Sequence, residues 1–487
     1  MKEQRQEPKK PTLLHALIPI LFMIAALFIG IARYGADPHI PLFLSSFVAA
    51  IVALSLGYKW KTLEEGMIRG ISLALQAVII LVIIGTIIGS WLAGGIVPTM
   101  IFYGLDILSP TYFLFAACMI SCLVAVASGN AWTAAGTIGI ALMGIGEGLG
   151  VNIAMVAGAV ISGIYFGDKV SPLSETTNLA PGVAGAELFE HIKHMLFTTV
   201  PALVIALSIY LVMGFWVSGD GNSISQVAQL QNNLNQQFLI TPWLLIVPGI
   251  IIAMMIMKIP AIPALSIGSL MGIFCSIVVQ GVPVGDSIAA LFYGYSADTS
   301  NEILNNLLNN GGIEAMMYTV SLLVIALSFG GILEIAGFFT VIVESLMKLA
   351  KSTGSLISTT VMTSVTANVV GCEQYLSIII PARMYAGEYK KRRLKMKNLS
   401  RTVEDAGTMT SPLVPWNTCG AFMFATLGVS AFTYAPYAFL PLLSPLMAIL
   451  YGYTGFTIEY EDDLGAETDL GTEAKSEKPP KKQKDVL

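Results

Sequence analysis

Charge is scarce in this chain. Only 12% of its 487 residues are Asp, Glu, Lys or Arg, 55% are hydrophobic, and the mean hydropathy is +0.74. A soluble globular protein carries roughly 25% charged residues, so polar surface is too scarce to keep a fold of this size in water, and lipid is the expected solvent. Histidine is also scarce: His15, His39, His191 and His194 read as terminal or loop residues without metal-ligand spacing. The five cysteines all lie in apolar or glycine-rich segments. Cys118 and Cys122 share a helix face, but no histidine or further cysteine joins them, so they read as buried packing groups. The glycine-rich stretch 144–150 is not followed by Lys-Ser/Thr, which removes a phosphate loop. No nucleotide-binding or soluble catalytic domain is expected, so the chain reads as neither an ATP-driven pump nor an enzyme, and no cofactor is called for. Steep voltage gating would leave an arginine ladder, and none is visible.

What the chain does contain is long apolar runs. A spanning helix needs about 20 mostly apolar residues, and Leu13–Ala32, Ile71–Ala93, Phe197–Trp216, Phe238–Met257 and Tyr434–Tyr453 reach or approach that length. Others are interrupted by Gly, Pro or Asn. The expectation is an all-α polytopic membrane protein of about 11 to 13 spans, some of them broken or re-entrant. The first run is too long for a cleavable leader, so the basic N-terminus (Lys2, Arg5, Lys9, Lys10) is expected to be retained.

Cytoplasmic loops collect Lys and Arg. By that rule the N-terminus, the loop 57–69 (Lys59, Lys61, Arg69) and the cluster Lys390, Lys391, Arg392, Arg393, Lys395, Lys397 and Arg401 lie inside. Loop 217–237, whose one acid is Asp220, and loop 282–312, with Asp286, Asp298 and Glu302, read as outward. The stretch from Glu459 onward, acidic and then Lys/Pro-rich, reads as a disordered cytoplasmic tail.

An internal repeat is legible. Ser171-Pro-Leu aligns with Ser411-Pro-Leu, Ser128-Gly-Asn130 with Thr366-Ala-Asn368, and Gly89 and Gly95 with Gly331 and Gly337, in one order and at nearly one offset. Basic loops of one half fall on base-free loops of the other, which is the signature of inverted-topology repeats, a transporter device that sets ion sites where broken helices meet near the midplane. The expected division is 1–12 cytoplasmic N-terminus, 13–56 two spans, 57–217 first repeat, 218–285 outward loop and linking spans, 286–455 second repeat, and 456–487 tail.

Three segments carry the chemistry. In the first, 165–181, Gly167 and Pro172 argue for unwound backbone, tolerated at membrane depth only where it is buried in protein or lines a cavity. It supplies oxygens from Asp168, Ser171, Ser174, Glu175, Thr176, Thr177 and Asn178, suited to a hard cation; Asp168 and Asn178 are the expected Na+ ligands. The plainer reading is a surface loop with an Asp168–Lys169 pair. The second, 401–420, offers Glu404, Asp405 and Asn417, although the two acids would also suit a helix's first turn. The third is a pair of polar interruptions carrying Asn130, Asn368 and Glu373; small polar residues also ease helix packing, but an ionisable group inside a membrane is functional by default.

The run Gly167-Asp-Lys-Val-Ser-Pro-Leu-Ser-Glu-Thr-Thr-Asn-Leu-Ala180, with Ser128-Gly-Asn-Ala-Trp-Thr-Ala-Ala-Gly-Thr137 and Ser411-Pro-Leu-Val-Pro-Trp-Asn417, resembles the NhaC family of bacterial sodium/proton antiporters over roughly residues 12–455. That resemblance implies Na+ export in exchange for H+ across a bacterial plasma membrane, with both termini cytoplasmic; some relatives resemble malate/lactate exchangers instead. The expected partners are lipid, Na+ and H+, with small organic acids as alternative cargo; an oligomer is compatible with this and nucleic acid is not expected. Few bases lie in the core (Lys169, Arg383, Lys258) and no paired Arg clamp for a dicarboxylate is visible, which favours cation exchange. The inverted repeat predicts that single cysteines in loops 57–69 and 299–311 are labelled from opposite faces of the membrane; labelling of both from one face contradicts it.

Overall fold

The computed structural model describes residues 8–217, 223–297, 305, 308, 309 and 311–461. Asp220, Asp298, Glu302, the first seven residues and the tail beyond 461 lie outside them. The regular secondary structure of the described residues is helical, apart from a β-bridge between Leu394 and Tyr460. Among the described residues, seven helices are long and apolar enough to cross a membrane, or up to nine if each of two pairs bent by 93° and 91° counts as one span. Five further apolar helices are shorter, among them Ile96–Ile107 and Phe338–Met347. At 1.5 Å per residue these two cover only about half of a ~30 Å hydrocarbon core. The expected 11 to 13 spans therefore resolve into full spans and half-length pieces.

Elements recur in the same order along the chain. The helices Leu75–Ala93, Ile96–Ile107, Pro110–Ser128, Ala131–Gly148 (interrupted by a π-turn at Ala135–Gly139), Ile153–Val170 and Glu175–Ala184 are echoed by Gly312–Ile335, Phe338–Met347, Thr353–Gly371, Gln374–Lys391, the run from Met396, and Thr418–Leu427. The N-caps fix the register. Asn130 and Glu373 cap equivalent helices 243 residues apart, and so do Ser174 and Asn417. The register by element order differs in two places from the alignment by residue type. The counterpart of Asn130 is Glu373; Asn368 lies five residues earlier, inside the helix Thr353–Gly371. The Ser-Pro-Leu motifs lie 240 apart because Val414-Pro415-Trp416 lengthens the second break before its cap. The capping geometry is conserved between the halves while the capping residue changes, and that hid the register.

Packing between the halves is reciprocal. Glu175–Ala184 packs on Gln374–Lys391, while its counterpart Thr418–Leu427 packs on the π-turn of the first half. Within each half, Leu188–Val217 packs on Pro110–Ser128 and Phe439–Thr454 packs on Thr353–Gly371. Elsewhere small residues permit close approach: a Cβ added to Gly331 would lie 2.2 Å from the Gly66 carbonyl oxygen.

Other local expectations are revised. The helix Ile153–Val170 runs through Gly167 and Asp168, and only 171–174 is non-helical. Gly167 does not loosen the chain; a Cβ there would meet Ala125 and the Val126 backbone at 2.4 Å. The segment 223–237, read as loop, is a helix whose Leu230 and Leu234 are buried, an i, i+4 pair within a polar run. His191 and His194 are buried on the helix Leu188–Val217, and Arg401, grouped with the cytoplasmic bases, is fully buried with Nη1 on Thr457 Oγ1 (2.8 Å).

Candidate functional site

Four helix breaks converge between the two halves. At the first, Gly129 adopts φ 66°, ending Pro110–Ser128 in the left-handed conformation, and Asn130 Oδ1 accepts the Thr133 N–H (3.0 Å). At its counterpart Cys372 takes φ 57°, and Glu373 Oε2 accepts the Leu376 N–H (3.0 Å). At the third, Ser174 caps Glu175–Ala184; at the fourth, Asn417 Oδ1 accepts the Cys419 N–H (3.0 Å).

A small cavity opens at this junction. Asp168, Glu175 and Glu373 line it, together with Asn130, Thr176 and Gln374, and no Lys, Arg or His does so among the described residues. Trp132 and its counterpart Tyr375 form parts of the wall; Trp132 stacks on Phe422 (4.4 Å between centroids), and the Tyr375 hydroxyl donates to Glu175 Oε2 (2.5 Å). Asp168 is buried, accepts Ser174 Oγ–H (2.9 Å) and faces the Ala131 N–H at a helix N-terminus. Three carboxylates and several neutral oxygens around one space suit a hard cation, and a carboxylate that binds either a proton or a cation can exchange the two.

Five of the residues singled out from sequence therefore meet at the cavity: Asp168, Glu175, Thr176, Asn130 and Glu373. The rest support it or lie apart. Ser171 Oγ donates to the Val126 carbonyl (3.0 Å), tying the break to Pro110–Ser128. Asn178, expected as a Na+ ligand, is exposed, and its amide donates to the Pro172 and Ser174 carbonyls (2.9 and 2.6 Å). Asn368 and Asn417 are fully buried and bonded to each other (3.1 Å), Asn368 also donating to the Gly407 carbonyl (2.7 Å). Asp405 is not among the residues lining the cavity. It pairs with Lys169, and both are fully buried, with Thr198 and Ser444 hydroxyls each donating to Asp405 Oδ1 (2.9 Å). The surface Asp168–Lys169 pair is replaced by a cross-half ion pair.

Sequence reasoning missed Lys169 in that role, Ser444 and Thr198. Ser174, offered from sequence as a cation ligand, caps a helix and donates to Asp168. Single hydroxyls inside apolar runs, such as Thr198 and Ser444, carry no sequence signal.

Broken helices, a buried ion pair and an acidic internal cavity within apolar spans define a polytopic membrane protein of the secondary-transporter class. Residues 163–456 match the family model described as "Na+/H+ antiporter family". The chain belongs to the Na+/H+ antiporter family. It is 39% identical to the Na+/H+ antiporter NhaC of Alkalihalophilus pseudofirmus over 94% of this chain and 98% of that one. It is also 39% identical to the malate-2H+/Na+-lactate antiporter of Bacillus subtilis (93% and 97% covered), and 36% identical to the arginine/ornithine antiporter ArcD of Halobacterium salinarum (93% and 94%).

Removing one partner of a buried ion pair costs about 3–5 kcal/mol, whereas removing both costs much less. Lys169→Met is expected to lower the thermal midpoint of the detergent-solubilised protein sharply, and adding Asp405→Asn to restore part of it; additive losses in the double variant would deny the pairing.

Proposed function

We propose that the chain is a secondary transporter that exports Na+ in exchange for H+, with Asp168 as the group where the two compete. The observation that carries this reading is the grouping of Asp168, Glu175 and Glu373 around one base-free cavity at the meeting point of helix breaks. Cation arrival at Asp168 displaces its proton, and proton return from the other face releases the cation. Alternating access follows from the two halves moving about this junction, and the charge asymmetry of corresponding loops supports placing the halves in opposite orientation. In this reading the protein works in a bacterial plasma membrane with both termini inside, and needs no cofactor beyond the ions it carries.

One observation favours a second reading, exchange of organic acids coupled to the same ions. An adjoining space shares Asn130 and Glu175 with the cavity and includes Lys258, a cation that could meet a carboxylate. The exchanger from Bacillus subtilis is as similar to this chain as the NhaC antiporter is.

In proteoliposomes, Na+ addition alone is expected to drive proton movement, lost to background in Asp168→Asn. Movement seen only with malate and lactate on opposite sides would transfer the protein to the second reading.

A further inference from the structure

A second cavity lies at the far end of the helices that carry the first, and the exchange described above does not use it. Glu147, Thr426, Leu427, Gly428 and the exposed Ile153 are among its lining. Three elements run from one space to the other. Ala131–Gly148 has Trp132 on the first cavity and Glu147 on the second. Ile153–Val170 has Asp168 on the first and Ile153 on the second, 15 residues apart on one helix, or about 22 Å at 1.5 Å per residue. Thr418–Leu427 stacks Phe422 on Trp132 and ends at the second cavity with Thr426 and Leu427.

The wall between the two spaces is made of apolar side chains seated on glycines. Trp132 and Phe422 form one part of it, with ring centroids 4.4 Å apart. A Cβ on Gly136 would lie 2.8 Å from Ile84 Cδ1, and one on Gly139 would lie 3.0 Å from Leu427 Cδ2. Both glycines belong to the π-turn Ala135–Gly139, so the wall sits where the helix Ala131–Gly148 is least regular.

The chemistry of the second cavity is that of a cation site. No Lys, Arg or His lines it among the described residues. Glu147 is half-buried. Thr426 is only 4% exposed, and its Oγ1 has no hydrogen-bond partner among the described residues, a buried oxygen left for a ligand to satisfy. Ala131–Gly148 and Thr418–Leu427 both end here, and the C-terminal end of a helix favours positive charge. A carboxylate, an unpartnered hydroxyl and two helix C-termini in a base-free space suit a small hard cation.

We propose that this cavity is a second cation chamber, which loads Na+ at Glu147 and Thr426 and is divided from Asp168 by the wall of Trp132, Phe422 and Leu427, so that the two cavities are the entrances from opposite faces of the membrane. The inference rests on the antiporter reading and assigns its second access route. A cleft with one sign of charge and low-dielectric walls raises the local concentration of counter-ions, so Glu147 enriches Na+ and H+ alike at that entrance.

Two measurements on the full chain test this. In a cysteine-free background, Thr426→Cys is expected to react with a membrane-impermeant cationic methanethiosulfonate from one face of the membrane, and Lys258→Cys, in the space adjoining the first cavity, from the other. Reaction of both from one face, or none at Thr426→Cys from either, overturns the second entrance. In right-side-out and everted vesicles, Glu147→Gln is expected to raise the half-saturating Na+ concentration for proton movement about tenfold, the lower end for ion enrichment in a charged cleft. The rise is expected only when Na+ is presented on the face that labels Thr426→Cys, and Glu147→Asp is expected to reverse most of it. An equal rise on both faces, or on neither, overturns the role of Glu147. If Glu147→Gln does not reach the membrane, Na+ is expected to slow the labelling of Thr426→Cys, and labelling indifferent to Na+ overturns the loading site. A wild type without Na+-driven proton movement defeats the antiporter reading instead, while the labelling, which needs no transport, still decides whether the cavity is an entrance.

Discussion

Lipid offers no hydrogen bonds, so every break in a membrane helix must find partners for its freed backbone N–H and C=O groups within the protein. The organisation of this chain follows from that constraint. Its breaks gather between the two halves, and each is capped from its own sequence by Asn130, Ser174, Glu373 or Asn417. Groups that satisfy backbone are oxygen-bearing side chains, so meeting the constraint also concentrates polar atoms at one place in an otherwise apolar molecule. The cavity is a consequence of where the breaks meet.

Two further elements hold that junction. The Lys169–Asp405 pair links the helix bearing Asp168 to the facing half, and the Thr198 and Ser444 hydroxyls add to the coordination of Asp405. Adjacent residues are thereby given opposite tasks: Lys169 neutralises a charge across the fold while Asp168 faces the cavity. On a helix, consecutive side chains point in different directions, so such a division needs no special backbone.

Much of this was legible in the sequence. Apolar runs marked the solvent, and Pro, Gly, Ser and Asn marked the breaks because each residue type has a local reason to be there. Asp168, Asn130 and Glu373 stood out as polar groups in apolar surroundings, and the structure brings them to one cavity. Partnerships across the fold were hidden. Lys169 and Asp405 are 236 residues apart and sit in runs that read equally well as loop charges. The register of the repeat slipped because an Asn cap in one half is a Glu cap in the other. His191 and His194 were taken for loop residues, although their i, i+3 spacing on a long helix could have signalled a shared buried face.

The central claim is that cation and proton compete for one site. The most direct measurement is proton release from purified, detergent-solubilised protein in weakly buffered solution as Na+ is added. Competition at Asp168 predicts acidification that saturates with Na+ binding and shrinks as the starting pH is raised and the site is already ionised. Saturable Na+ binding that releases no proton at any pH would contradict the account.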